Sequence, residues 1–249
     1  MRVKNHYVPT VIALTVTSVF AGMPAQNLRQ SLPTIEQKIV TSLGDGCRIS
    51  MLIPDVAKRQ WLVAGSSTPS KLNEGSVYIR YGDIPKSYKG KQCADCAFTI
   101  GIGCYNATDP APSKPNLADG FSVNFDVKAN RWVSDRSRFE AHLRAQGMDE
   151  EWVKKYADAD HFYELTTRTA KGFAMTRDHV IGDESRRERH LHYCLIREPK
   201  AVCGQGVMGA LEDIKRRPKT DLTPYALQIL RTIEFVDDVP SSDGAASSP

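Results

Sequence analysis

The chain has 249 residues, 33 Lys and Arg against 29 Asp and Glu, a formal charge of +4 at pH 7, 41% hydrophobic residues and six cysteines. So even a balance excludes a nucleic-acid footprint, which needs a concentrated basic face. The densest clusters, Arg186-Arg187-Glu188-Arg189 and Lys215-Arg216-Arg217, are short and are interrupted or followed by acids, as solvated strand-edge and helix-end charge would be.

Residues 1–25 have the layout of a signal peptide. Arg2, Lys4 and His6 open it, and an uncharged run of about fourteen residues from Val8 through Ile12, Leu14, Val16 and Phe20 follows, too short for a bilayer core of roughly 30 Å. Small residues then place cleavage after Ala21 or Ala25, and no cysteine stands there for a lipid anchor. The expectation is a periplasmic or secreted chain with no stable membrane anchor. Without Arg2 and Lys4 it carries 31 bases and 29 acids, and its 224 residues suffice to bury a core without crosslinks.

In an oxidising compartment the even set Cys47, Cys93, Cys96, Cys104, Cys194 and Cys203 implies three disulfides. Fifteen pairings are open, although Cys194 and Cys203 flank a turn containing Pro199 and so can close a local loop. Cys93-Ala94-Asp95-Cys96 also has zinc-knuckle spacing, but Cys194 and Cys203 are too far apart to complete it. A redox pair would want a helix after Cys96, where a strand-like run stands instead.

From residue 26 a single α+β domain is expected to run to 238, with 239–249 a disordered tail and 106–119, rich in proline, the place where two lobes would divide. Ile35, Ile39, Val40 and Leu43, closed by Gly44, predict a helix. Cys47, Ile49, Met51 and Ile53 alternate with polar residues and predict a strand ended by Pro54. Further strands are predicted at 77–81, 97–104 and 121–128, where Phe121, Val123, Phe125 and Val127 share one face. Ser134 or Asp135, and then Asp149, start two helices of a hairpin, with Phe139, Leu143, Trp152, Val153 and Tyr156 facing inward. Strands at 162–169 and 190–197 follow, with a short one at 173–175, then helices at 207–217 and from Thr223-Pro224, and a closing strand at 232–236. Wet-faced alternating strands without a regular β-α-β beat favour an antiparallel sheet with helices packed on one side.

Few motifs carry chemistry. Gly204-Gln205-Gly206-Val207-Met208-Gly209 matches the dinucleotide string, but no strand and parallel unit frame it, and a flexible disulfide-flanked loop is the expectation. His190 and His192 project to the same side of a strand, and with His179, Asp178 or Glu188 they offer an alternative metal site. No nucleophile motif is present and no cofactor is expected. Asp149-Glu150-Glu151 sits in a first helical turn, where acids complement the helix dipole.

The closing stretch Asp221-Leu222-Thr223-Pro224-Tyr225-Ala226-Leu227-Gln228-Ile229-Leu230-Arg231-Thr232-Ile233-Glu234-Phe235, a helix running into a final strand behind a leader and a cysteine-bearing α+β body, resembles periplasmic immunity proteins against type VI secretion phospholipase effectors. The resemblance implies a non-catalytic inhibitor that occludes a toxic protein partner. Contacts are expected on long loops: Tyr81, Asp83, Lys86 and Tyr88; Asn116 and Asp119; and the basic edge Arg186, Arg187 and Arg189. The alternatives are a periplasmic metal-dependent hydrolase using His179, His190 and His192, and a cell-envelope solute-binding module.

Overall fold

The computed structural model describes residues 36–43, 47–54, 74–80, 84, 97–107 and 121–237, all within the unit Pro33–Pro249. Strand β1 (Glu36–Ser42) pairs antiparallel with β2 (Arg48–Pro54), and the Leu43 N–H donates to the Cys47 carbonyl at 2.8 Å. A helix is expected over the first of these segments, and the structure corrects it. Seven residues are too few to separate the two periods, and Ile39-Val40-Thr41 is β-branched throughout; the partner strand decides. β2 carries Ile49, Met51 and Ile53 inward, as its alternation predicts.

Strands β3 (Glu74–Arg80) and β4 (Ala97–Asn106) form one edge of a six-stranded sheet. β5 (Val123–Asp126) and β6 (Arg131–Ser134) make a separate hairpin, so the predicted strand over 121–128 is cut short: residues 127–130 turn, with Asn130 at φ 50°, and Val127 is left 80% exposed. Helices α1 (Arg136–Ala145) and α2 (Glu150–Asp158) follow as a hairpin. Asp135 Oδ1 accepts from the Arg138 N–H and Asp149 Oδ1 from the Trp152 N–H, both at 3.0 Å, caps that contribute about 1 kcal/mol each. Phe139, Leu143, Val153 and Ala157 form the small core of this pair, with Tyr156 packed beside it.

β7 (Asp160–Thr166), β8 (Lys171–Asp178), β9 (Glu188–Arg197) and β10 (Lys200–Ala210) complete the large sheet in the order β3-β4-β10-β9-β8-β7, every neighbour antiparallel. Strands from both sides of 106–119 therefore share one sheet. The fold ends with α3 (Leu211–Arg216), α4 (Thr223–Leu230) and β11 (Glu234–Phe235), which joins β1 and β2 in a three-stranded sheet. One face of the large sheet, with Phe98, Ile100, Leu191, Tyr193 and Leu195, packs on Ile49, Met51, Leu227 and Leu230 of the small sheet and α4. The opposite face buries Phe173, Met175, Cys194 and Cys203 under Phe121, Val123 and Trp132.

Among the described residues two disulfides cross this framework. Cys47–Cys104 joins the start of β2 to β4 through the main core, Cα to Cα 6.2 Å, and so ties the small sheet to the large one. Cys194–Cys203 links directly paired residues of the β9–β10 hairpin, as the turn at Pro199 suggests, with Cα atoms 4.0 Å apart. Cys93 and Cys96 lie outside the described residues.

The expected loop and helix over 204–217 are corrected: 200–210 is a strand near the centre of the sheet, and the helix begins only at Leu211. Packing explains the glycines. Tyr193 stands opposite Gly204 on β10 and sends its hydroxyl to the Gly101 carbonyl of β4 at 3.1 Å; a Cβ at Gly204 would lie 1.8 Å from that carbonyl oxygen and 2.9 Å from the Tyr193 ring. Gly209, at φ 138°, takes up the register shift that bends the strand end into α3.

Candidate functional site

A set of charged side chains gathers where β8 ends and β9 begins. Register pairs Asp178 with Arg189, Arg177 with His190, and Asp160 with Arg177. Successive strand residues project to opposite faces, so these positions resolve into two rows.

On the main-core face Arg189 holds Asp178 through two bonds, Nε to Oδ1 at 2.6 Å and Nη2 to Oδ2 at 2.8 Å, and its Nη1 reaches Asp221 Oδ2 at 2.8 Å. Asp221 Oδ1 accepts from the Thr223 N–H at 2.9 Å and from its hydroxyl at 2.6 Å, so one carboxylate anchors both Arg189 and the start of α4. His161 Nε2 lies 3.9 Å from Asp178 Oδ2. Burial by itself would raise the Asp178 carboxyl, but the Arg189 guanidinium, with His161 adding to it, holds it down to about 2. The Asp178 carboxylate in turn raises Arg189.

On the other face Arg177 grips Asp160, Nε to Oδ1 at 2.6 Å and Nη2 to Oδ2 at 2.8 Å, while the Ser122 hydroxyl donates to Oδ2 at 3.0 Å. The Asp160 side chain is only 2% exposed. The guanidinium carbon also sits 4.7 Å from the Phe139 ring centroid and 5.8 Å from that of Phe121. These contacts tie β7 and β8 to α1 and to the chain before β5.

The three histidines of the alternative metal site divide. His179 and His190 stack with centroids 4.3 Å apart, and His190 Nε2 is 3.4 Å from Glu188 Oε2. His192 instead packs on Phe121 at 5.1 Å. Among the described residues no group of three or more His, Cys, Asp or Glu could hold a metal ion. Burial, with His179 beside it, lowers His190; burial, with the charge of Arg177, lowers His192 to about 4.

This arrangement makes stability depend on pH in the acid range. His192 is neutral in the folded chain and takes a proton in the unfolded one below pH 6.5, so stability falls between pH 6.5 and 4 by about 3 kcal/mol. Asp178 acts lower: its contribution is complete above pH 3.8 and is lost as pH falls toward 2, about 2 kcal/mol. Denaturant titrations across this range check both, with His192→Gln expected to flatten the upper slope alone; an unchanged upper slope would contradict the assignment.

Thr176 is fully buried between His161 and Leu191 in register, and its hydroxyl has no hydrogen-bond partner among the described residues. Thr176→Val is therefore expected to stabilise the fold by about 1 kcal/mol in equilibrium unfolding, and destabilisation would reveal a partner for the hydroxyl.

Of the expected contact residues, Tyr81, Asp83, Lys86, Tyr88, Asn116 and Asp119 lie outside the described residues. Arg186 is exposed on a 3-10 turn, Glu184–Arg186. Arg187 donates to the Gly182 carbonyl at 2.9 and 3.2 Å, and Arg189 is committed to Asp178 and Asp221, so only Arg186 of this trio projects freely. Asp160, Arg177 and Asp221 complete the two rows without any signal in the sequence, since their partners stand 17 and 32 positions away.

Together these features define a disulfide-crosslinked protein of mixed helices and antiparallel sheets, cross-braced by ion pairs at one end of its large sheet. Its disulfides suit an oxidising, exported compartment. No helix among the described residues is long and apolar enough to cross a membrane. Compared with known proteins, the chain matches no family model and no curated sequence.

Proposed function

We propose that this chain is a periplasmic or secreted binding protein, released from its leader near Ala21 or Ala25, that inhibits a toxic secreted effector of the lipase type by occluding it. The observation that carries the reading is the internal pairing of the polar end. Asp160, Asp178 and Asp221 are each bound by an arginine of the same fold, so these charges brace the scaffold and leave recognition to its loops. A scaffold that is already rigid loses less entropy when it binds. The resemblance of 221–235 to periplasmic immunity proteins points the same way.

The test is recovery of the native protein from the cell envelope. A stable complex with a lipase-like partner, whose phospholipid hydrolysis is lost at one-to-one stoichiometry, is the expected result. A small ligand recovered in place of a protein, or near-stoichiometric zinc, would contradict it.

A further inference from the structure

The run Lys215-Arg216-Arg217, expected to be solvated helix-end charge, ends α3, whose first turn packs on the β8–β9 loop. The Leu211 N–H at the start of α3 donates to the Arg187 carbonyl at 2.8 Å, which lays α3 against the 3-10 turn Glu184–Arg186. A second 3-10 turn, Pro218–Thr220, follows α3 directly. These three short elements form one corner, on which Arg186, Lys215, Arg216, Arg217 and Lys219 are all exposed. Glu212 pairs with Arg216, and Asp213 Oδ1 stands 4.0 Å from Arg217. Arg186, Lys215 and Lys219 have no acidic partner among the described residues.

The adjoining loop is held in shape from within. Asp183 Oδ1 accepts from the Ser185 N–H at 3.0 Å and from its hydroxyl at 2.9 Å, and Arg187 clasps the Gly182 carbonyl while its Nη1 donates to Glu184 Oε1 at 3.3 Å. Ile181, the residue before this bonded stretch, is 61% exposed. The corner thus offers unpaired positive charge on short ordered elements, with one exposed apolar side chain in the adjoining loop.

We propose that this basic corner is where an acidic face of a protein partner docks, with Ile181 entering an apolar recess beside it; the inference rests on the binding-protein reading above. Nucleic-acid binding draws its affinity from many phosphate contacts along a concentrated basic face, more than three free cations supply. Attachment to an anionic bilayer gains about 1 kcal/mol per Lys or Arg and needs an apolar stretch to insert, where a single isoleucine stands here. A folded acidic surface asks for less charge, because fields of this kind chiefly raise the rate of encounter.

The experiment uses the full chain in the cells that make it, with a photocrosslinking residue at position 215 and, separately, at position 154 on α2. A protein adduct at 215 whose crosslinked peptide is rich in Asp and Glu is the expected result. With that partner purified, the combined substitution Arg186→Glu, Lys215→Glu and Lys219→Glu lowers the association rate about ten- to a hundredfold at low salt and flattens its salt dependence, while the unfolding midpoint stays in place. An adduct at 154 and none at 215 overturns the corner and leaves the binding reading standing. Absence of a protein adduct at both positions overturns the two together. Binding to phosphatidylglycerol vesicles that the triple substitution abolishes would assign the corner to a membrane instead.

Discussion

Replacing Cys47 and Cys104 together with alanine is expected to cost about 4 kcal/mol of unfolding free energy, the larger of the two disulfide effects. The bond closes a loop with a sequence separation of 57, and the chain-entropy relation gives about 4 kcal/mol for a loop of that size. Cys194–Cys203 spans only 9 positions, for which the same relation gives about 2.5 kcal/mol. Position widens the gap. Cys194 and Cys203 join strands already paired along their whole length, whereas Cys47 and Cys104 join two different sheets across the main core. Denaturant unfolding of the two double variants under oxidising conditions checks the order. Equal losses, or a greater loss for the hairpin pair, would mean that the small sheet is held by its apolar contacts alone.

Arg177→Met is the second large expectation, with a loss of about 3 to 5 kcal/mol at neutral pH. Methionine keeps an apolar stem near Phe139 and Phe121 but leaves Asp160, at 2% exposure, with the Ser122 hydroxyl as its remaining side-chain donor. Removal of one member of a buried pair strands the other charge, whereas removal of both can be nearly neutral. Asp160→Leu combined with Arg177→Met should therefore recover most of the loss. A double-mutant cycle on unfolding free energies measures it, and additive single effects would show that the two side chains do not stabilise each other.

How far the sequence discloses this fold depends on the range of the interaction concerned. β2 is legible because four alternating apolar residues precede a proline, and the caps of α1 and α2 are legible because Asp135 and Asp149 act on backbone three residues ahead. The hairpin disulfide is legible for the same reason, its cysteines flanking a visible turn. β1 is not, since the segment satisfies either period until β2 pairs with it. β6 is four residues long, below what alternation can mark. β10 hides behind glycines that read as a loop, and the tyrosine that needs one of them comes from the neighbouring strand. The two rows of ion pairs, and the packing of α3 against the turn that carries Arg186, arise only from strand order and the α3 junction. Charge in the sequence shows which residues are available; topology selects which of them neutralise one another. Arg189 and Arg186 look alike in the sequence, yet the first is fixed to two carboxylates and the second faces solvent.

Export followed by crosslinking underlies the binding-protein proposal, since the Cys47–Cys104 bond ties the three-stranded sheet to the six-stranded one. Peptide mapping without reduction, on protein recovered from the envelope of native cells, tests this most directly. Linked peptides joining Cys47 to Cys104 and Cys194 to Cys203, and an amino terminus beginning after Ala21 or Ala25, are the expected result. Free thiols at these four positions, or a product that keeps Met1 in the cytosol, would contradict it.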